Sequence, residues 1–136
     1  MSFNYILDMF GKFRKRKTRF SEIEEDALSL LASFIDGTIG SKEFAIAFDG
    51  LRKNFIKLTE KDGQIVIDEN TPLWLNSFLG MHFMKWRQYQ QVKWHFEEHP
   101  EELVGETKVR FEHLWRMGYD EQFIKTCKNM LEELKK

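Results

Sequence analysis

Residues 71–96, TPLWLNSFLGMHFMKWRQYQQVKWHF, form the longest helical pattern of the chain and decide its fold. Thr71 is a suitable N-cap, and Pro72 fits the first helical position because an N–H at that position has no intrahelical partner. The first half of the pattern is apolar nearly all round, which is typical of a helix buried on most of its sides. The stretch therefore predicts the central helix of a bundle, and we expect Gly80 to let a neighbouring element approach closely.

Two further helices are predicted before this stretch. The first begins with Ser21 as its N-cap and continues to residue 36. The second begins with Ser41 as its N-cap and runs to about residue 54, with an apolar side chain every three or four residues. Residues 55–68 leave two alternatives open, because they fit either a continued helix or a short β-hairpin with Asp62-Gly63 in its turn.

Two helices are also predicted after the central one, the first from Pro100 to Gly118 and the last with Asp120 as its N-cap. A short amphipathic helix fits residues 3–13. Together these patterns predict a mainly α fold, a single-domain helical bundle of five or six helices, with a short β-hairpin near residues 55–68 as the open alternative. An amphipathic, basic N-terminal arm, residues 1–20, precedes the helical domain, residues 21–136.

Length and composition agree with one soluble domain. The chain has 136 residues, of which 42% are hydrophobic, and this is enough for a core that needs no disulfides or metal ions. Cys127 is the single cysteine, so no intramolecular disulfide can form, which is compatible with a reducing cytosol. The first basic run follows an apolar segment, opposite to the order in a secretory signal, and no apolar run is long enough to span a bilayer. We therefore expect a cytoplasmic protein.

The net charge of −1 conceals a basic arm and an acidic body. Residues 1–20 carry six Lys or Arg and one Asp, whereas residues 21–136 carry fifteen Lys or Arg and twenty-one Asp or Glu. Basic residues among aromatic ones can neutralise phosphates and stack on bases, so segment 10–20 is a candidate for nucleic-acid binding. A solvated linker, whose cations lie favourably at a helix C-terminus, is the simplest interpretation of the segment, and binding to an anionic membrane surface is a further alternative. The candidate phosphate-binding residues are Lys12, Arg14, Lys15, Arg16, Lys17 and Arg19.

Two acidic clusters are candidates for binding a basic protein partner. One lies at the start of the helix that begins at Ser21, and the other surrounds Pro100. Acidic residues at helix N-termini complement the helix dipole, which is an ordinary structural role. They also form surfaces whose charge accelerates association with a basic partner. The candidate partner-binding residues are Glu22, Glu24, Glu25, Asp26, Glu97, Glu98, Glu101 and Glu102.

The stretch HFEEH, residues 95–99, fits the H-x-x-E-H pattern of zinc hydrolases. Two histidines four residues apart bind one metal ion when the helix continues through both. Pro100 follows His99 and disfavours the helical conformation of the residue before it, so we expect His99 to end the helix and the pair geometry to be lost. The residues after His99 offer no third ligand at a recognisable spacing. The sequence therefore predicts no metal site here.

No other residues indicate catalysis. His82 falls in the apolar half of the central helix and is expected to be a hydrogen-bonded core histidine, because no nucleophile pattern accompanies it. Cys127 lies on an apolar stripe and is expected to be a buried, inert thiol. Neither G-x-x-x-x-G-K-[ST] nor G-x-G-x-x-G occurs, so nucleotide binding has no support. We expect a protein that is not an enzyme and has no cofactor.

Residues 31–54, LASFIDGTIGSKEFAIAFDGLRKN, resemble small all-helical bacterial immunity proteins of the colicin D immunity type and of contact-dependent inhibition systems. The resemblance rests on a helix that ends in F-x-x-G-x-I and a following Ser-capped x-E-F helix, carried by Phe34, Gly37, Ile39, Ser41, Glu43 and Phe44. It implies a non-enzymatic protein that binds and occludes one toxin, often a basic nuclease. No binding residue carries over, because the matching positions are core and capping positions. The alternative is a nucleic-acid-associated or regulatory helical protein that uses the basic arm.

Overall fold

Helices make up most of residues 17–135, which are the residues that the computed structural model describes. Helix α1 is Ser21–Ile35 and helix α2 is Ser41–Thr59. Strands β1, Glu60–Lys61, and β2, Gln64–Ile65, form an antiparallel hairpin. The central helix α3 covers residues 73–98, and α4, Gly105–Arg116, and α5, Tyr119–Lys135, follow it. The prediction of a mainly α domain with a short hairpin is confirmed, while the helix predicted at residues 3–13 lies outside the described residues.

Aromatic side chains from four helices meet in the core. Phe34 of α1 contacts Phe44 of α2 edge to face, with ring centroids 4.3 Å apart. Trp86 of α3 stacks on Phe123 of α5 at 4.4 Å. All four side chains are buried, so each helix presents one apolar stripe to a common core. The turn between α1 and α2 is tight because Gly37 adopts a positive φ of 83°.

Both alternatives for residues 55–68 are partly right. Helix α2 continues to Thr59, five residues beyond the predicted end, and the hairpin follows it directly. Asp62 and Gly63 have φ values of 53° and 77°, the two positive values that a tight two-residue hairpin turn requires. The hairpin pairs only two residues on each side, and all four are exposed.

Helix α3 is less completely buried than its apolar sequence predicts. It consists of an α-helical turn Leu73–Phe78, a π-helical segment Leu79–Phe83 and the longer α-helix Met84–Glu98. Met81 remains 61% exposed. Gly80 is exposed, and a Cβ atom at this position would meet nothing within 4 Å. The expected close approach at Gly80 is therefore wrong, because this face of the helix points to solvent.

The predicted N-caps are misplaced by one or two positions. Ser21 and Ser41 are the first residues of their helices rather than caps, and Asp120 is the second residue of α5. Pro72 takes the N-cap position of α3, and Thr71 precedes it. The hydroxyl of Ser21 accepts a hydrogen bond from the Thr18 N–H at 2.8 Å, so it stabilises the turn before α1 instead of the helix itself.

The corner after α3 lies at the periphery of the domain. Pro100–Glu102 form a short 3-10 turn, so the helix predicted from Pro100 begins only at Gly105. None of the residues of α4 is buried. Phe96 of α3 contacts Phe111 of α4 with ring centroids 5.3 Å apart, which joins α4 to the end of the central helix. This corner is consequently well exposed.

Candidate functional site

The first acidic cluster lies on the first two turns of α1. The carboxylates of Glu22, Glu25 and Asp26 belong to exposed residues. Glu24 is only partly exposed, and its carboxylate accepts a hydrogen bond of 2.6 Å from the indole N–H of Trp74. Glu24 thereby joins α1 to the start of α3. We call the other three residues of the cluster, Glu22, Glu25 and Asp26, the α1 acidic rim.

Asp26 is the electrostatically perturbed member of the α1 acidic rim. Partial burial removes water from its carboxylate and raises its pKa above the ordinary value of 3.8, and the negative charges of Glu22 and Glu25 raise the pKa further. Glu22 and Asp26 stand four residues apart, where like charges on a helix repel by about 0.2–0.5 kcal/mol. A cation placed beside Asp26 would relieve this repulsion.

A groove of about 540 Å³ runs between α1 and α2 and has Asp26 in its wall. Part of the lining consists of small residues, which leave room for the groove between the helices: Ser29 and Ser33 on α1, and Ala47 and Gly50 on α2. Asn54 and four apolar side chains also line the groove, the latter being Ile23, Leu30, Ile39 and Leu51. Among the described residues that line it, Asp26 alone is ionisable, so this part of the groove combines a largely apolar surface with one negative charge.

Asp26 also lines a second depression of about 390 Å³ at the N-terminal end of α1. Its other charged lining residues are Glu22, Arg19 and Lys57. Arg19 donates hydrogen bonds to Asp68 at 2.8 Å and to the Leu58 carbonyl oxygen at 3.0 Å. This arginine therefore fastens the segment before α1 to the end of α2.

Little of the basic segment falls within the described part of the chain. Lys12, Arg14, Lys15 and Arg16 lie outside the described residues. Lys17 is exposed. Arg19 is held by its ion pair and by contact with the Phe20 ring, whose centroid is 4.4 Å from the guanidinium carbon. The hydrogen bond that Arg19 donates to Asp68 lowers the pKa of that carboxyl group, and the backbone N–H of Asn70 and the charge of Arg19 lower it further. The proposed phosphate-binding role of these six residues stays a prediction.

The second acidic cluster lies around the corner after α3, and histidines accompany it. Glu97 and Glu98 are exposed at the end of the helix, and Glu101 and Glu102 belong to the 3-10 turn. Glu102 lies 2.9 Å from His95, measured from Oε2 to Nε2, while Glu101 lies 3.4 Å from Nδ1 of His99. Two of the four carboxylates are thus already engaged by imidazoles.

Of the two predictions for the HFEEH stretch, the end of the helix at His99 is confirmed and the separation of the two histidines is not. His99 does end α3, with φ −128° and ψ 64°. The two imidazoles nevertheless stay together, with ring centroids 4.9 Å apart. The turn at Pro100 brings Glu102 back towards them, and one ligand atom from each of His95, His99 and Glu102 lies within 4.8 Å of the other two. The expected loss of pair geometry is therefore wrong.

Two further expectations have opposite outcomes. Cys127 is fully buried, so its predicted burial is confirmed, and burial raises the pKa of its thiol to about 12, which disfavours the reactive thiolate. His82 is exposed rather than part of the core. Its position in an apolar sequence was misleading, because the neighbouring residues 80 and 81 are exposed as well.

The sequence reasoning missed a polar cluster around Asp120. The Oδ1 atom of Asp120 accepts hydrogen bonds from the indole N–H of Trp86, at 2.9 Å, and from the side-chain amide of Gln90. Its other oxygen binds the Lys93 ammonium group at 3.1 Å. These three donors occur at positions i, i+4 and i+7 of α3, a spacing that places them on one face of the helix. The cluster joins α3 to α5 and is structural.

No family model matches this chain, and neither a curated protein nor a solved structure gives a significant match to it. Among residues 17–135, none of the helices combines the length and the apolar character that a membrane crossing requires. Functional inference therefore rests on the geometry of the α1 acidic rim and of the corner after α3.

Proposed function

We propose that this protein is a non-enzymatic binding module that holds a basic segment of a protein partner on the α1 acidic rim and in the adjoining groove between α1 and α2. The observation that carries the proposal is the position of Asp26. Its carboxylate is part of the groove wall and has a raised pKa, which burial and the neighbouring carboxylates cause. A lysine or arginine of the partner would bind beside Asp26, where its positive charge offsets the repulsion that Glu22 and Glu25 exert on this carboxylate.

The lining of the groove favours binding over catalysis. General acid–base chemistry requires a positioned pair of titratable groups, or one such group beside a nucleophile and its base. The groove lining offers Asp26 together with apolar and small polar side chains. Such a surface suits an amphipathic segment that places its apolar side chains in the groove and a cation against Asp26.

The more specific form of the proposal is a cytoplasmic immunity protein that occludes a bacterial toxin. Nuclease toxins bind polyanionic substrates, and an acidic surface on an inhibitor can take the place of the nucleic acid. The resemblance of residues 31–54 to immunity proteins supports this form, and so does the excess of acidic residues in the body of the chain. Within that segment, Phe34 and Phe44 contact each other in the core, so the matching residues build the helix pair that carries the rim.

The test compares three forms of the protein as bait for partners from the native host. One form is unchanged, and the second carries Glu22→Gln, Glu25→Gln and Asp26→Asn. A matched control carries the same change in net charge elsewhere, through Glu43→Gln, Glu106→Gln and Glu121→Gln, which replace exposed residues of other helices. We expect a basic protein to be retained by the unchanged and control forms and lost from the rim variant. Equal retention by all three forms, or equal loss from both variants, would contradict the proposal.

The toxin form requires a second step with the captured protein. When purified, the partner should degrade nucleic acid, and an equimolar amount of the unchanged binding protein should abolish that activity while the rim variant should not. A captured partner without toxic activity would leave the rim as a binding site but reject the immunity function. Nuclease treatment of the lysate tests the alternative, since retention through the basic arm on nucleic acid would disappear.

A further inference from the structure

The turn at Pro100 brings together three side chains of a kind that bind metal ions. His95 lies in the last turn of α3, His99 ends the helix and Glu102 closes the 3-10 turn that follows. The Nε2 atom of His95 is 2.9 Å from Oε2 of Glu102, and the Nδ1 atom of His99 is 4.0 Å from the same oxygen. The three residues come from two different backbone elements, so their proximity does not follow from helix spacing alone.

These distances are close to those that a shared ion requires. Zinc binds imidazole nitrogen and carboxylate oxygen at about 2.0–2.2 Å, so two ligand atoms of a tetrahedral site lie roughly 3.4 Å apart. The observed distances of 2.9 and 4.0 Å lie on either side of that value. The three side chains are each about half exposed, between 49% and 51%, so small torsional changes can adjust them without disturbing the core.

The chemistry of the ligands indicates which ion would bind. Imidazole ligands suit zinc, copper, nickel and iron, whereas magnesium and calcium prefer all-oxygen sites. Two histidines and one glutamate leave at least one tetrahedral position for water. Glu101 lies 3.4 Å from Nδ1 of His99 and adds a nearby negative charge that favours a cation.

We propose that His95, His99 and Glu102 form a binding site for a divalent transition-metal ion, with Zn²⁺ as the best match to the ligand set. This inference is independent of the α1 acidic rim, because it uses a different part of the chain. When bound, the ion would fasten the end of α3 to the turn that leads into α4. The site is open to solvent, so the ion would retain water as its remaining ligand.

The experiment measures metal binding to the full, untagged chain. Isothermal titration with Zn²⁺ gives the stoichiometry and dissociation constant, and Co²⁺ titration gives the visible absorption that reports the ligand geometry. We expect one ion per chain, tight enough that about 1 mM Mg²⁺ does not displace it. Cys127 does not compete, because its thiol is buried and its pKa is raised to about 12.

Variants locate the ion. His95→Ala, His99→Ala and Glu102→Gln should each weaken Zn²⁺ binding by roughly tenfold or more, because each removes a direct ligand. His82→Ala and His113→Ala are matched controls, since they remove the two other histidines, both of them exposed, and should leave the affinity unchanged. Circular dichroism verifies that each variant keeps its helical content.

Three results would overturn the proposal. The first is an affinity of the unchanged chain weaker than about 1 mM, as expected for an adventitious surface ion. The second is an equal loss of affinity in the two control histidine variants, which would indicate scattered binding. The third is unchanged affinity in Glu102→Gln, which would remove the carboxylate from the site and reject the three-ligand arrangement.

Discussion

Replacement of Asp120 by alanine should destabilise the fold by more than the loss of a surface charge would. Asp120 is a half-buried residue whose Oδ1 accepts from Trp86 and Gln90, and each of these side chains is only 1% exposed. In Asp120→Ala both donors stay buried and lose their acceptor. An unsatisfied buried donor costs about 1–3 kcal/mol, and the partly exposed ion pair to Lys93 adds at most about 1 kcal/mol.

With two such donors, the free energy of unfolding of Asp120→Ala should therefore fall by roughly 2–7 kcal/mol, a large part of the roughly 5–15 kcal/mol typical of a whole domain. Urea unfolding followed by far-ultraviolet circular dichroism measures the difference. Asp120→Asn is the informative control, because its side-chain oxygen can still accept from Trp86 and Gln90 although the charge is gone. Lys93→Met removes only the ion pair, and we expect it to cost about 1 kcal/mol or less.

The ranking of the three variants tests the reasoning. If satisfaction of buried donors dominates, Asp120→Ala is far less stable than Asp120→Asn. If charge dominates, Asp120→Asn and Lys93→Met both approach Asp120→Ala. A loss in Asp120→Ala of less than about 1 kcal/mol would refute the argument, since it would show that Trp86 and Gln90 find other partners at little cost.

Further predictions concern two glycines, the buried thiol and one carboxylate. Gly37→Ala should lower the free energy of unfolding by about 1 kcal/mol, because Gly37 has a positive φ of 83°, whereas Gly80→Ala, at an exposed helical position, should raise it by up to about 1 kcal/mol. Urea unfolding measures both changes, and a change of the same sign in both variants would contradict the argument from backbone conformation. Cys127 should react with a thiol reagent at pH 8 only when the chain unfolds, and rapid reaction of the folded protein would disprove its burial. Asp26→Asn should stabilise the protein at pH 7 by a few tenths of a kcal/mol. Because the pKa of Asp26 is raised in the folded state, this gain should shrink as the pH falls towards 3.8 and the carboxyl group protonates in both states; a gain independent of pH would contradict it.

The helices could be predicted from the sequence because their apolar residues recur with helical spacing, but their boundaries could not. Ser21 and Ser41 have good capping chemistry, yet each became the first residue of its helix. Larger errors occur as well, since α2 ends five residues beyond its predicted end and the helix predicted from Pro100 begins only at Gly105. The burial around Gly80 was also mispredicted, because an apolar sequence does not reveal which face of α3 meets neighbours. That depends on the tertiary placement of α1, α2 and α5.

For the candidate sites, too, the sequence identified residues but not their spatial arrangement. The acidic residues of α1 could be found by charge alone, but their position beside a groove depends on how α1 and α2 pack. The approach of Glu102 to His95 depends on a 3-10 turn after Pro100, and the sequence indicated only that the helix would end there. Pro100 thus coincides with the end of α3, and the turn that it begins brings Glu102 close to the two histidines.

The carboxylates of this chain differ in their effect on stability according to what the fold places beside them, and this difference limits where the proposed basic partner could bind. Several carboxylates stabilise the fold because they form hydrogen bonds or ion pairs with side chains of other segments. They are Glu24, Asp49, Asp68 and Asp120. Asp26 instead has a raised pKa beside two other carboxylates, so its ionisation weakens the folded protein. If Asp26 binds the proposed partner, Asp26→Asn should increase the stability of the protein and weaken partner binding together. Replacement of a structural carboxylate, as in Asp120→Ala, should instead decrease the stability of the protein.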